Sequence, residues 1–183
     1  MRIIKNLSIS FASLFVVAFV TIYFFQKNIS DSLKEKKQAV TKSWNNFNSD
    51  LLTRDSLLNS FISTSFDSLK YFMQKSILER GRKENDLDLA FYEYKINEYI
   101  LTHFPNQRQI TELNSKLNRE ILEYNSLTKE YNVYISIFPN FIVAKRHNYN
   151  KAKYFTVDYG KVSEDPIKKS KELPEWAKGV DTT

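Results

Sequence analysis

Cysteine is absent from the 183-residue sequence. That excludes disulfides, Cys-ligated zinc, iron–sulfur clusters and thiol catalysis. It also excludes a lipoprotein anchor, which needs a cysteine to acylate. Glycine and proline are scarce, with three and four residues. Sheets joined by tight turns draw on glycine for positive φ, so their scarcity beside abundant Leu, Lys, Glu and Gln favours long helices. Histidine occurs twice, at His103 and His147. Neither has a second histidine at helical ligand spacing, and His147 sits among Lys145, Arg146 and Lys151, which disfavours a bound cation. No Gly-rich phosphate loop, Gly-x-Ser-x-Gly elbow or His-Glu-x-x-His helix occurs. The expectation is a protein with no cofactor, no metal, no identified small-molecule substrate and no recognisable catalytic set.

What is present points to a thin helical bundle at a membrane. Eleven Tyr and fourteen Phe supply large apolar area per residue, so even a slender bundle can bury a useful core. The formal net charge is +6, but both signs are interleaved. The sequence therefore reads as a mildly basic solvated surface rather than a nucleic-acid binder. Residues 7–25 carry no charge, and only Ser8, Ser10, Ser13 and Thr21 are clearly polar. As a helix this run spans roughly 28 Å, close to a hydrocarbon core. A cleaved signal peptide would have a shorter apolar region and a small-residue cleavage site. Gln26-Lys27-Asn28-Ile29 offers none, so an uncleaved single-pass anchor in a bacterial cytoplasmic membrane is expected. Arg2 and Lys5 precede it, and Lys27, Lys34, Lys36 and Lys37 follow. By that count the rest of the chain leans toward the cytoplasm.

Beyond the anchor the apolar spacing is helical. Trp44, Phe47, Leu51, Leu58, Phe61 or Ile62, Phe66 or Ser65, Leu69, Phe72 or Met73, and Ile77 step by threes and fours and predict one long face. Gly81 is placed to end it in a left-handed turn, and Asn85-Asp86 to cap a second helix. The second helix carries Leu87, Ala90, Phe91, Tyr94, Tyr99 and Leu101, and Pro105 interrupts it. A third follows, with Ile110, Leu117, Tyr124, Tyr131 and Phe138 every seven residues, until Pro139 ends it. Residues 154–159 alternate loosely, as an extended segment would. The polar stretch after Val162, with Pro166, Pro174 and Trp176, is expected to be mobile.

Within the third helix, Tyr124-Asn125, Tyr131-Asn132 and Phe138-Pro139, then Ala144 and Tyr154-Phe155, resemble the most characteristic run of the LemA family. Upstream, Trp44 with Arg54-Asp55 and Leu57-Leu58 is similar to that family's first helix, and Phe104-Pro105 to its aromatic–proline break. The alanine–arginine pair of the family is not evident around Glu79-Arg80. The resemblance implies an amino-terminal membrane helix and a bundle of long antiparallel helices, and no reaction.

The sequence thus predicts an all-α antiparallel bundle following a transmembrane helix. A short flank covers 1–6, the anchor 7–25, the bundle 28–160 and a polar tail 161–183. The expected role is that of a membrane scaffold or adaptor, in envelope maintenance or membrane-protein quality control, with a protein partner or a second copy. The alternatives are a self-assembling structural protein and a hydrolase using Glu93, Glu98 or Glu120 beside a histidine. Seven-residue spacing puts the two Tyr-Asn pairs on one face. They read either as a polar-aromatic strip for a partner or, as favoured, as tyrosines in the seam with asparagines bonding neighbouring helices. Glu84, Asp86 and Asp88 read as carboxylates favoured by a helix start rather than as a calcium loop. Lys34, Lys36, Lys37 and Lys42, and Lys145, Arg146, Lys151 and Lys153, read as solvated faces.

Overall fold

The computed structural model describes residues 2–61, 66–81 and 86–172, with side-chain surroundings from Leu14 onward and not for Asp86. Among them are six helices and no strand: α1 (Arg2–Phe61), α2 (Asp67–Arg80), α3 (Asp86–His103), α4 (Arg108–Ser136), α5 (Asn140–Arg146) and α6 (Pro166–Glu172). The chain divides into two compact units.

The first unit comprises Met1–Val40 and Leu127–Ala152. Here the early part of α1 and the end of α4 run antiparallel. Lys36 pairs with Glu130 at 3.7 Å and lies 5.5 Å over the Tyr134 ring. A cleft of about 240 Å³ between them is lined by Ser32, Glu35 and Ala39 on α1 and Leu127 and Tyr134 on α4. Ile29, Leu33 and Val40 are buried, as are Tyr131, Ile135, Val143 and Ala144. Residues 14–25 of α1 are exposed throughout, from Leu14 at 68% to Phe25 at 54%. The expected transmembrane helix is not found: no helix of the described residues is long and apolar enough to cross a membrane. Side chains 1–13, the first part of the expected anchor, lie outside the described residues.

The second unit comprises Thr41–Ser126 and Lys153–Thr183. Leu58, Leu69, Met73, Ile96, Ile100 and Ile110 form a core drawn from four helices. Trp44, Phe47, Tyr124 and Phe155 form a second, aromatic cluster with ring centroids 5.0–5.6 Å apart.

Several expectations are corrected here. The long first helix is two helices, α1 ending at Phe61 and α2 starting at Asp67. At the end of α1 the Ser60 Oγ donates to the Leu57 carbonyl at 2.6 Å, a side-chain bond that competes with the helix's own ladder. Ile77 is exposed and Ser76 takes the buried place. Gly81 has φ −79°, so it ends α2 without a left-handed turn. Asn85 and Glu84 lie outside the described residues, as do Pro174 and Trp176. Phe138 leaves the seam and is 77% exposed, because α4 stops at Ser136 and the chain turns. The stretch after Val162 contains α6. Asp165 Oδ1 accepts from Ile167 N at 2.8 Å and Pro166 takes the first helical position, so this short helix starts with a cap and a residue that lacks the amide anyway.

Candidate functional site

The most chemically distinctive feature of the second unit is a buried ion network. Arg54 and Asp55 come from α1, Ser76 and Arg80 from α2, Glu93 from α3 and Tyr159 from the segment that follows α5. Arg54 and Glu93 are fully buried, and Arg80 and Asp55 nearly so. Arg54 donates Nε and Nη2 to Asp55 Oδ1 at 3.2 and 2.7 Å. It also donates Nη1 to Glu93 Oε2 and Nη2 to Oε1, the latter at 3.2 Å. Arg80 Nη2 reaches Asp55 Oδ2 at 2.7 Å and Glu93 Oε1 at 2.9 Å. The Ser76 hydroxyl donates to Glu93 Oε1, and the Tyr159 hydroxyl to Oε2 at 2.8 Å. The Arg54 guanidinium lies 5.5 Å over the Tyr159 ring.

Two guanidiniums and two carboxylates make a neutral set, which is the condition for charges to survive burial. Burial alone would raise the Glu93 pKa. The charges of Arg54 and Arg80, with hydrogen bonds from Arg54 and Ser76, outweigh it and hold the carboxyl down to about 2. Burial disfavours charge on Arg54, but Glu93 and Asp55 outweigh that and raise its pKa. Burial and then the Glu93 charge push the Tyr159 phenol well up, so it stays a donor. The network joins three helices and one irregular segment, with every oxygen of Glu93 already in use.

A second constellation is a ladder of asparagines. Residues 150–158 form no helix or strand, so their backbone groups need partners from elsewhere. In the second unit, Asn118 Oδ1 accepts from Tyr159 N and its Nδ2 donates to Tyr159 O, both at 2.9 Å. Asn125 does the same with Phe155, at 3.0 and 2.8 Å. Tyr124 donates its hydroxyl to the Lys153 carbonyl at 2.8 Å. From α3, Asn97 accepts from Gly160 N at 2.7 Å and donates to the Lys161 carbonyl at 2.9 Å. In the first unit, Asn132 holds both backbone groups of Ala152, at 2.8 and 2.7 Å, and Tyr131 donates to the Asn150 carbonyl at 2.9 Å. Burial, and then Tyr149, push the Tyr131 phenol up to about 12, which keeps it protonated as that donor.

The sequence-derived residues separate accordingly. Tyr124 and Tyr131 are in the seam, as their spacing predicts. Asn125 and Asn132 bond the backbone of a non-helical segment, not a neighbouring helix, because that backbone has no ladder of its own. Arg54 is in the ion network, and Trp44 is half-buried against Phe47, Tyr124 and Phe155. Phe138 and Pro139 lie at the turn after α4. His103 stacks on Tyr99 at 4.0 Å, and His147 is exposed. Glu98 pairs with Lys95 at 2.9 Å on the surface. Sequence reasoning missed Asn97, Asn118, Ser76, Arg80 and Tyr159. Asn118 was legible, since it continues the seven-residue series of Asn125 and Asn132.

Residues 103–168 match the model of the LemA family. The match covers 66 of the 183 residues, so the likeness to that family is shown over this segment. No curated protein and no solved structure matches the chain. The LemA-matched segment contains α4, α5 and the irregular segment, and so both sides of the Asn118, Asn125 and Asn132 rungs. Trp44 and Arg54 lie outside it.

Proposed function

We propose that the chain is a membrane-anchored helical scaffold of the bacterial cytoplasmic membrane, held by residues 7–25 and offering its helices to a protein partner. The observation that carries this is the run of exposed apolar side chains over residues 14–25, on a helix that continues to Phe61. Twelve consecutive uncharged residues left bare in this way are a hydrophobic surface that water disfavours and a lipid interior accepts. On α2, Tyr71 and Leu78 are each about half exposed, with Lys75 between them placing its ammonium 5.6 Å over the Tyr71 ring, and they offer two separate apolar contacts to a partner helix or a second copy. The hydrolytic alternative places Glu93 beside a histidine, whereas its neighbours are Arg54 and Arg80.

Alkaline carbonate extraction of membranes tests the anchor. The full chain is expected in the pellet, and a chain lacking residues 2–26 in the supernatant. Recovery of the full chain in the supernatant would sink the reading. Crosslinking in intact membranes then tests the partner. The adduct formed by the full chain is expected to be lost in Tyr71→Ser/Leu78→Ser.

A further inference from the structure

We propose that the first unit touches the membrane a second time, through the elbow between α4 and α5, which lies on the lipid surface beside the anchor. This inference rests on the anchor reading above and adds a second contact to it.

The elbow is apolar and uncovered. Ile137 is 48% exposed, Phe138 77%, Phe141 46% and Ile142 45%. The Phe138 and Phe141 rings are 6.3 Å apart and form one patch. Four large apolar side chains at one helix end are unusual on a surface that faces only water.

Its height along α1 can be read from contacts within the unit. Lys36 meets Glu130, and Ser32 and Tyr134 share one cleft, so each step forward on α4 is a step back on α1. Continued to Ser136, that register brings the end of α4 level with Ile29 and Ser30. The chain then turns and climbs. Arg146 Nη1 donates to Gln26 Oε1 at 3.0 Å, and Lys37 lies 5.3 Å over the Tyr149 ring. The elbow therefore lies in the chain between Ser136, level with Ile29 and Ser30, and Arg146, which bonds Gln26, one residue past the apolar run. Burial on α1 changes at the same place, since Phe25 is exposed and Ile29 is packed.

With residues 7–25 in a bilayer, the elbow falls at the headgroup boundary. Phenylalanine and isoleucine at that depth bury apolar area, as interfacial helices do. Lys27, Lys145 and Arg146, all exposed, stand at the same level and suit anionic headgroups. Apolar side chains toward the lipid with cations around them select a lipid surface over a protein groove.

The absence of native cysteine permits a clean test. Single-cysteine full-length variants Phe19→Cys, Phe138→Cys and Lys129→Cys would carry an environment-sensitive fluorophore. They would be reconstituted in phosphatidylcholine vesicles containing phosphatidylglycerol. Lipids bearing a nitroxide near the headgroup end of the acyl chain would serve as quenchers. The Phe138 label is expected to emit at shorter wavelength and to be quenched, the Phe19 label to report lipid, and the exposed Lys129 label to report water. Quenching at position 19 with water-like emission at 138 would overturn the elbow contact and leave the anchor standing. Blue-shifted emission at 138 without quenching would assign the patch to a second copy or a protein and overturn the proposal. No lipid signal at position 19 would remove the anchor reading and this one with it.

Discussion

Glu93→Gln is the sharpest perturbation of the ion network. The side chain keeps its shape and loses its charge. Arg54 and Arg80 would then share a single carboxylate, Asp55, in a site with no exposure to dilute the imbalance. The new amide also points hydrogens at donors already aimed at Glu93, from Arg54, Ser76 or Tyr159. Removing one partner of a buried pair costs about 3–5 kcal/mol, most of it from the charge left behind. The sign agrees with the carboxyl's own titration, since Arg54 and Arg80 hold it well below its ordinary 4.5, at about 2.

The sign of the pH dependence follows. A depressed carboxyl pKa stabilises the fold fully above its ordinary value, and the effect fades as pH falls from about 4.5 toward 2. Urea unfolding of the detergent-solubilised chain, followed by Trp44 fluorescence in a Trp176→Phe background, measures both quantities. Wild type and Glu93→Gln should differ by about 3–5 kcal/mol at neutral pH. The gap should narrow through the acid range. Glu130→Gln removes an ion pair exposed on both sides, and should cost under about 1 kcal/mol. A Glu93→Gln loss no larger than that of Glu130→Gln, or a gap that does not move with pH, would refute the reasoning.

Two further outcomes test the irregular segment. Asn125→Ala leaves the amide and carbonyl of buried Phe155 without partners, at a cost of about 2–3 kcal/mol. Hydrogen exchange should speed up at the Phe155 amide while the Tyr159 amide, held by Asn118, stays protected. Gly160→Ala places a Cβ 3.1 Å from Asn114 Nδ2 on a residue with φ +78°. The left-handed backbone alone costs about 1–2 kcal/mol, and thermal unfolding should show at least that loss.

Much of the fold was legible because apolar spacing survives in α1 and α4. Phe47, Leu51 and Leu58 are buried as their threes and fours predict, as are Ile110, Leu117, Tyr124 and Tyr131. The second helix was misread for a physical reason. Its buried face is Leu89, Ala90, Glu93, Ile96, Asn97 and Ile100, while Leu87 is exposed and Tyr94 half-buried. Two of those buried positions are polar, and a reading that follows only apolar residues drifts to the flanking aromatics. The network was hidden likewise. Arg54 and Asp55 are adjacent in sequence, but Arg80 and Glu93 complete the set only when α2 and α3 fold against α1. An ion pair that depends on a tertiary meeting leaves no local period to detect.

The asparagine series shows how one period can serve two purposes. Seven residues of α4 advance about 10.5 Å along the helix. From Asn118 to Asn125 the partner moves from Tyr159 to Phe155, four residues of chain with a reach of about 13–14 Å. The segment is therefore drawn out, running opposite to α4. An even step keeps the same side of a drawn-out chain toward the helix, so Asn118 and Asn125 each meet both the amide and the carbonyl of one residue. The residues so held, Phe155 and Tyr159, are the ones whose rings enter the core, against Trp44 and Phe47. The seven-residue repeat that seats Tyr124 in the seam thereby also sets Asn125 beside a backbone with no sheet to satisfy it. Tyr159, fixed by its rung, carries its hydroxyl to Glu93. The ladder and the ion network are thus coupled, and loosening Asn118 should weaken the network without touching any of its charges.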